Sequence, residues 1–502
     1  MRDDWQIPGV SLAIVQMDEA GKWKQQTIGL GRMDLKGNQV TDRTLFTLAS
    51  NSKHFTAIAA GLALSQAGLT WETPMRAVIP SFQLVDKEAQ EKITFIELLS
   101  HQSGLPRHDL SYDAKATVED MIESLGHLRP SAPMKTLWQY NNITYAAASH
   151  LPKQLSGQNF DDFVKDNIWK PLGMENTFYD IEAARATGHL VSGFARRITS
   201  DRTGIEDADV CRSLPRLDNS FDSSSFLSLQ VIWLKTLLSN GRNPETDEQV
   251  IPQSIFEDTI KPQIQMKSKS DDSEMTVPMY GLAQWTYKYR GFDVVEHTGA
   301  MPGQKSLIVR LPEKMIGVAI MVNDQQLGKL FNEVAKWRIV DDLLGLEPID
   351  FKTRYLDERK LKQRESKPPQ PAPPTHGFAS IPGVYRHPAY GKIELRPLAL
   401  TSHQVDLQDK TSWTFVVDSD KSWVKEYLFE HFDGDVFNVT AKLVYPKTDA
   451  VIWDISGVGI RANFGEGGVG FQHIWGAGEG IPDGDMERDG IRNGAEVFFA
   501  KV

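Results

Sequence analysis

The chain has 502 residues, a length that suggests about three domains, or one large domain with an appendage. Hydrophobic residues make up 40% of the chain and charged residues 24%, proportions that are typical of globular proteins and exclude wholesale disorder. The 66 acidic side chains outnumber the 55 basic ones, and the net charge of −11 argues against binding to nucleic acid or to an anionic membrane, both of which favour a basic face.

The cysteine count and the N-terminus further restrict the class of protein and its expected location. Cys211 is the single cysteine, which excludes an intrachain disulfide and any metal site built from several cysteines. No apolar run approaches the roughly 18 residues that a membrane span needs, and the polar N-terminus lacks the apolar core of a signal peptide. We therefore expect a cytoplasmic protein. The first strand-like run begins at Ile7, close to the start, so a longer natural N-terminus stays open.

The first part of the chain predicts a hairpin followed by helices. Residues 7–31 form the hairpin, because two β-rich runs flank the turn sequence DEAG. An amphipathic helix follows over about 50–66, with apolar residues at helical spacing and Gly68 at the position of a C-cap. From 70 to about 275 the sequence predicts helices separated by long loops, which amounts to an all-helical insert.

The pattern changes to strands at about residue 280. Four short β runs lie between 281 and 323, and a helix is predicted over 329–344. The first 345 residues therefore begin with a strand hairpin, continue with helices and return to strands before the last helix.

A proline-rich linker divides the chain. Residues 368–374 read PPQPAPP, which is typical of a stiff, extended spacer, and the charged stretch 352–367 before it predicts either a solvated helix or a basic patch. Beyond it, frequent glycines, aromatics and alternating strands predict a small antiparallel β-barrel or sandwich. The predicted domains are therefore 1–350, a linker over 351–375, and a β domain over 376–502.

Ser50 and Lys53 at the start of the first long helix are the strongest catalytic candidates. Their three-residue separation places the hydroxyl and the amine on one helix face, about 5–6 Å apart at Cβ. A serine hydroxyl is a poor nucleophile until a base takes its proton, and a buried lysine can be that base. The helix N-terminus adds N–H groups that suit a developing oxyanion. The alternative is an ordinary N-cap serine.

Two further motifs carry residues of the same chemistry. The sequence WQYNN places Tyr140 and Asn142 at the start of another helix, where a phenol can act as general base and a carboxamide can bind a lysine or a substrate amide. Alternatively, they are a core tyrosine and an N-capping asparagine. His297-Thr298-Gly299 is predicted to end a strand, where the glycine admits a substrate carbonyl and the N–H of Ala300 donates to an oxyanion. The alternative there is a plain strand-to-turn boundary.

The three motifs, in this order and in these contexts, resemble the serine β-lactamase and penicillin-binding-protein superfamily. The resemblance is strongest to its branch of class C β-lactamases, D,D-carboxypeptidases, D-aminopeptidases and esterases, and it covers about 7–345. Other segments contribute to it. IPGVSLAIV is similar to that branch's first strand, ELLSHQSGLPRHD to its "LLTHTSGLP" loop, and PLGMENTFY to its "PLGM..T" turn.

The resemblance implies an α+β fold, in which an antiparallel sheet flanked by helices is built from both ends of the first 345 residues, with an all-helical insert and then a β-barrel domain. It also implies a catalytic role for three residues. Ser50 is the implied acyl-accepting nucleophile, Lys53 stays hydrogen-bonded to it and shuttles its proton, and Tyr140 serves as general base or acid. Asn142 is the implied substrate-binding residue that orients Lys53 and the substrate. The region after the linker resembles the lipocalin-like β domain that many members of the superfamily carry.

The third motif supplies the remaining implied substrate-binding residues. His297 would tune Tyr140 or hold a substrate carboxylate, Thr298 and Gly299 complete the motif, and the N–H groups of Ser50 and Ala300 would form the oxyanion hole. No metal or other cofactor is implied.

Two positions and one segment depart from the branch's pattern. Asn141 stands where the motif usually has serine, and His297 stands where a true β-lactamase has lysine. In addition, residues 219–241 lack the glycines of the branch's "STA.D" segment, which should reshape one wall of the pocket.

The leading hypothesis is a serine hydrolase that forms an acyl-enzyme on Ser50 and cleaves a small ester, amide or lactam. The alternatives are an acyltransferase that passes the acyl group to an alcohol or amine, and a non-catalytic binding or assembly protein on the same scaffold. The expected partner is a small-molecule acyl substrate, with no nucleic acid and no membrane, and a homo-oligomer stays open.

Overall fold

The computed structural model describes the chain except for residues 114, 196–211, 214–223, 360–367, 369, 399–412, 420, 422–423, 445–450, 455–458, 466 and 477–485. Cys211, the start of the 219–241 segment and part of the predicted linker therefore lie outside the described residues. None of the helices in the described part of the chain combines the length and the apolar character that a membrane crossing requires.

The strands, in chain order, are β1 (Gly9–Met17), β2 (Trp23–Gly31), β3 (Leu45–Thr47), β4 (Thr177–Phe178), β5 (Phe194–Ala195), β6 (Arg212–Ser213), β7 (Ser224–Phe226), β8 (Ile264–Gln265), β9 (Met279–Tyr280), β10 (Trp285–Tyr289), β11 (Phe292–Met301), β12 (Gln304–Leu311), β13 (Ile316–Val322), β14 (Gly383–His387), β15 (Gly391–Pro397), β16 (Thr414–Asp418), β17 (Glu426–Asp433), β18 (Val436–Val444), β19 (Val451–Asp454), β20 (Ile460–Gly465), β21 (Gly468–Gln472) and β22 (Val497–Lys501).

The α-helices are α1 (Lys53–Gln66), α2 (Met75–Val78), α3 (Lys87–Lys92), α4 (Phe95–Leu99), α5 (Val118–Ser124), α6 (Asn142–Ser149), α7 (Leu151–Ser156), α8 (Phe160–Val164), α9 (Ile181–Ala186), α10 (Leu227–Leu238), α11 (Gln253–Ile260), α12 (Gly328–Leu344), α13 (Phe351–Arg359), α14 (Met486–Asp489) and α15 (Ile491–Gly494). A π-helical turn spans Lys165–Trp169. Turns of 3₁₀ helix span Ala49–Ser52, Asp109–Ser111, Leu125–His127, Pro312–Lys314 and Phe378–Ser380.

The chain divides into two compact units, each assembled from three segments. The first unit consists of Met1–Pro80, Ile93–Gln102 and Thr144–Lys362. The second unit consists of Ser81–Lys92, Ser103–Ile143 and Gln363–Val502. The division into domains 1–350, 351–375 and 376–502 stays a prediction.

The first unit is built on one antiparallel sheet of eight strands, in the order β2-β1-β13-β12-β11-β10-β9-β8. The hairpin β1–β2 lies beside β13, with Val10 opposite Val322, so the sheet joins the start of the chain to residues beyond 300. The predicted sheet from both ends of the first 345 residues is therefore confirmed. In its described residues the insert between them contains short strands as well as helices, so it is not all-helical as expected, and its strand β7 pairs with both β3 and β4.

Helices cover both faces of this sheet. Alternate residues of β12, among them Leu307 and Val309, pack into an apolar core with Phe331 and Trp337 of α12. On the other side, α1 forms as predicted and ends before Gly68, which has the left-handed φ of 70°. However, α1 is buried along Lys53–Leu64 rather than amphipathic, because other helices surround it.

The second unit contains a closed antiparallel barrel of eight strands, which confirms the predicted C-terminal β-barrel. Strands β14, β15, β16, β17, β18, β20, β21 and β22 form it, and the pairing of β17 with β18 closes it. Because side chains alternate along each strand, one set points inward. Aromatic rings supply much of that interior, including Phe415, Phe429, Phe437, Phe464 and Phe471.

Candidate active site

The turn Ala49–Ser52 presents Ser50 and is fastened to strand β12. The Ser306 hydroxyl donates to the carbonyl of Leu48 at 2.6 Å and accepts from Asn51 Nδ2 at 2.9 Å. Ser306 is buried, so water does not compete for these bonds. The turn therefore takes its position from a strand that lies about 250 residues further along the chain.

The backbone of this turn is strained at the residue before Ser50. Ala49 has a φ of 51°, in the left-handed region that costs an ordinary residue about 1–2 kcal/mol. Such strain persists only where the surroundings hold it, and it concentrates at functional sites. The hydrogen bonds of Ser306 with Leu48 and Asn51, which lie on either side of Ala49 and Ser50, supply that restraint.

Ser50 and Lys53 meet as their spacing predicts. Lys53 Nζ lies 3.1 Å from Ser50 Oγ, within hydrogen-bond distance. The lysine is only 8% exposed, and its Nζ lies 5.2 Å from the centre of the Tyr145 ring. The hydroxyl and the amine are thus in direct contact in a largely desolvated place, as nucleophilic catalysis requires.

Gly299 brings the third motif against this turn. A Cβ on Gly299 would lie 2.2 Å from the carbonyl oxygen of Leu48 and 2.3 Å from Ser306 Oγ, closer than any side chain tolerates. Only glycine lets strand β11 approach the turn so closely. Next to it, Thr298 is half-buried and Ala300 is exposed.

The third motif does not end its strand, and that expectation is wrong. Strand β11 continues through Ala300 to Met301 and joins β12 by a tight hairpin, with Met301 opposite Gln304. The ladder goes on because Ala300 still pairs with Lys305 of β12. The motif therefore lies inside the ladder, where its register is fixed on the β12 side.

His297 is a neutral side chain in the core of the first unit. Its Nδ1 lies 2.6 Å from the carbonyl of Thr298, so Nδ1 carries the proton, and Nε2 lies 3.2 Å from the hydroxyl of Tyr280. Burial and the positive charge of Lys53 lower the pKa of His297 to about 3. The ring therefore offers no positive charge to a substrate carboxylate.

The second motif lies in the second unit. Tyr140 is 5% exposed, and the guanidinium carbon of Arg107 lies 4.4 Å from the centre of its ring. This distance is short for a cation–π contact and fixes the face of the phenol ring. The ring of Trp138 lies 6.0 Å away.

Asn141 and Asn142 of this motif make different hydrogen bonds. Asn141 caps helix α6, because its Oδ1 accepts from the N–H of Ile143 at 2.8 Å, and its Nδ2 donates to the carbonyl of Pro106 at 2.7 Å. Asn142 instead donates to Asp109 Oδ1 at 3.1 Å. The helix-capping alternative thus applies to Asn141, which explains why asparagine suits that position.

Asp109 gathers three donors around the second motif. Besides Asn142, it accepts from the hydroxyl of Tyr112 at 2.5 Å and pairs with Arg107 at 3.2 Å. Burial, together with the negative charge of Asp109, raises the pKa of Tyr112 well above its usual range. Tyr112 therefore stays a neutral donor to this carboxylate at physiological pH.

Sequence reasoning missed four residues of these surroundings, namely Arg107, Asp109, Tyr145 and Ser306. Arg107 and Asp109 lie in the loop that carries the resemblance, so their charge was a usable signal. Tyr145 follows the second motif at helical spacing. Ser306 lies in an ordinary strand sequence and gave no signal. Within the described residues, no group of three His, Cys, Asp or Glu side chains is placed to hold a metal ion.

The chain is similar to several known proteins. The β-lactamase family model matches residues 1–197. Two curated relatives are named unguisins hydrolases. The one from Aspergillus campestris is 29% identical over 78% of this chain and 75% of its own, and the one from Aspergillus violaceofuscus is 26% identical over 88% and 82%. The octameric penicillin-binding protein homologue from Pyrococcus abyssi has a similar fold, with a TM-score of 0.56 and 18% identity over 94% of this chain and 95% of that one.

The match of residues 1–197 to the β-lactamase family, together with these relatives, supports the resemblance to the serine β-lactamase and penicillin-binding-protein superfamily. The protein is a β-lactamase-related serine hydrolase, which confirms the predicted class of enzyme and sets aside the non-catalytic alternative.

Proposed function

We propose that the protein hydrolyses an amide or ester through an acyl-enzyme on Ser50. The observation that carries the proposal is the 3.1 Å contact between Ser50 Oγ and Lys53 Nζ, on a strained turn beside Gly299. Ser50 does not occupy an N-cap position, because Leu48 is the N-cap residue of the turn and Ser52 is that of helix α1.

The proposed reaction has two halves. Ser50 Oγ attacks the carbonyl carbon of the substrate, and its proton passes to Lys53. The proton is then delivered, with Tyr140 as the general acid that the resemblance implies, to the departing amine or alcohol as the bond between that group and the carbonyl carbon breaks. Water hydrolyses the resulting ester by the reverse proton path. Asn142 orients the substrate, a role that rests on the resemblance.

The oxyanion is proposed to lie between the N–H groups of Ser50 and Ala300. The strained turn holds the first, and the β11–β12 ladder holds the second. Donors fixed in this way need no rearrangement when charge develops on the carbonyl oxygen, which is the basis of oxyanion stabilisation.

The charge of the third motif affects which substrate group can bind beside it. A lysine at the position of His297 would offer a cation to a substrate carboxylate, whereas the His297 ring is neutral and buried. We therefore propose that the substrate group that meets the third motif is uncharged, which favours amides and esters over carboxylate-bearing lactams. Unguisins, which the two relatives are named for hydrolysing, are the first compounds to assay.

The test is the variant Ser50→Ala, with Ser52→Ala in the same turn as the matched control. Unguisins and a chromogenic ester serve as substrates, and intact-mass spectra record adducts with a fluorophosphonate. We expect Ser50→Ala to lose on the order of 10⁴-fold or more of kcat and to lose the adduct, while Ser52→Ala keeps both. Turnover by Ser50→Ala within tenfold of the unaltered enzyme would show that the nucleophile lies elsewhere.

Hydrolysis and acyl transfer share this acyl-enzyme and differ in its acceptor. Offering candidate alcohols and amines together with the substrate, and separating the products, distinguishes them. The proposal expects free acid as the main product, and a dominant acylated acceptor would favour the acyltransferase alternative.

A further inference from the structure

The loop that holds the second motif also contacts the barrel of its own unit. Leu110 is 4% exposed and lines the barrel cavity together with Tyr390, Ile393 and Phe429. Nearby, Asp113 forms an isolated β-bridge to Lys421, whose Nζ lies 3.8 Å from the carboxylate of Asp113. The loop thus docks on the barrel with both side chains and backbone.

His108 makes a side-chain hydrogen bond in this contact between the loop and the barrel. Its Nε2 lies 3.1 Å from the carbonyl of Arg129, which can only accept, so Nε2 carries the proton. Its Nδ1 therefore accepts from the hydroxyl of Tyr390 at 2.8 Å. The ring of Trp475 packs edge-on against the imidazole, with 5.2 Å between centres.

Neither His108 nor Tyr390 is charged in the hydrogen bond between them. Burial lowers the pKa of His108 to about 3, and it raises the pKa of Tyr390 well above its usual range. His108 is 1% exposed and Tyr390 is 3% exposed. The bond therefore joins two neutral groups in one fixed direction, and neither group has water as a substitute partner.

The residues on either side of His108 hold the second motif. Arg107 lies against the ring of Tyr140, and Asp109 accepts from Asn142. The position of His108 therefore sets where the guanidinium and the carboxylate of its two neighbours lie. The bond from Tyr390 to His108 is therefore connected to Tyr140 through Arg107, and to Asn142 through Asp109.

We propose that Tyr390 is a positioning residue for the hydrolytic reaction, and that the barrel acts through its hydroxyl to align the second motif. The proposal rests on the proposed function, because it takes Tyr140 to act in proton transfer. In this role Tyr390 acts through other residues and not on the substrate itself. Its effect passes from the hydroxyl to His108, and from there to Arg107 and Asp109.

The test compares two tyrosines of the same barrel. Tyr390→Phe removes the bond to His108, and Tyr385→Phe removes a similar buried bond, 2.7 Å long, to the carbonyl of Ile381. A structural role alone predicts the same effect for both variants. We expect similar losses in melting temperature, while only Tyr390→Phe lowers kcat, by about tenfold, with KM changed less than twofold.

A second pair of variants tests the bond from the side of the loop. His108→Gln keeps an acceptor for Tyr390 and a donor for Arg129, and His108→Leu keeps neither. We expect glutamine to retain most of kcat and leucine to lose it as Tyr390→Phe does. This pair also decides the question if Tyr390→Phe fails to fold.

The outcomes separate the two proposals. If Ser50→Ala abolishes turnover but Tyr390→Phe matches Tyr385→Phe in kcat, the positioning role is wrong and the proposed function stands. If Tyr140→Phe keeps full kcat, the assignment of Tyr140 fails and the positioning role fails with it. Equal kcat for His108→Gln and His108→Leu would also overturn the positioning role.

Discussion

The turn that carries Ser50 and the loop that holds Tyr140 are fixed in different ways. In the first unit, one buried hydroxyl and a strand ladder position the turn, and Gly299 allows the strand to approach it. In the second unit, the carboxylate of Asp109 and the imidazole of His108 position the loop. The first arrangement relies on sheet geometry, and the second relies on side-chain hydrogen bonds.

This difference predicts how each region responds to mutation. Sheet geometry changes little when one polar side chain is altered, but it fails when a backbone approach is blocked. A side-chain network tolerates small steric changes and fails when its central acceptor is altered. Steric changes should therefore disable the turn, and changes of charge should disable the loop.

Among the variants that test this comparison, the largest effect is expected for Gly299→Ala. The new Cβ would meet the carbonyl of Leu48, a backbone atom that cannot move aside, and it would separate the strand from the turn. We expect kcat to fall by about 10²–10³-fold, the usual cost of losing an oxyanion donor. Steady-state kinetics with the chromogenic ester measures it.

The control for this prediction is Gly126→Ala, where the nearest atom to a new Cβ is a side-chain atom of Gln83 at 3.2 Å. It should keep kcat within twofold. Full activity in Gly299→Ala would mean that the close approach of strand and turn is unimportant for catalysis.

The next largest effect is expected for Asp109→Asn, which keeps the shape of the side chain and removes its charge. The neutral amide pairs poorly with Arg107 and Tyr112, so the loop loses its central acceptor. We expect kcat to fall by about tenfold to 10²-fold. The same kinetic assay tests this.

Asp120→Asn is the matched control, because Asp120 caps helix α5 in the same unit and is exposed. It should leave kcat unchanged. Equal kinetics for the two variants would count against a special role for the carboxylate of Asp109.

The same contrast explains what could be predicted from the sequence. The sheet and the barrel follow from alternating strands, because burial of one face imposes a period that is visible in the sequence. Ser50 and Lys53 also follow, because their contact is local to one turn. Arg107 and Asp109 could be seen as charged residues, but their contact with Tyr140 and Asn142 depends on how a loop folds.

The errors have physical reasons of the same kind. The strand of the third motif was expected to end at Gly299, but the strand continues, and the glycine permits a close approach inside it. Helix α1 has an apolar stripe typical of an amphipathic helix, but the surrounding helices bury its other faces too. Ser306 could not be found at all, because its partners are about 250 residues away in the sequence.

The smallest expected effect is that of pH on the free energy of unfolding. Each unit contains a buried histidine that contributes to it, so the effect can be compared between the two units. His297 and His108 both have a pKa of about 3, against 6.5 for an ordinary histidine, chiefly because they are buried. Between these values the unfolded chain binds a proton that the folded chain does not. Stability is therefore lost as the pH falls from about 6.5 towards 3, and each histidine costs about 2 kcal/mol between pH 7 and pH 5.

Urea unfolding of His297→Gln and of His108→Gln at pH 7 and pH 5 measures this loss, and hydrogen exchange shows which unit opens. Each variant should remove about 2 kcal/mol of the pH-dependent loss, from the sheet unit for His297 and from the barrel unit for His108. His376→Gln, which replaces an exposed histidine, is the control. An unaltered pH dependence in His297→Gln would mean that the pKa of His297 is ordinary in the folded enzyme, so that the ring beside Lys53 is charged at pH 5, and the case for an uncharged substrate group at the third motif would lose its basis.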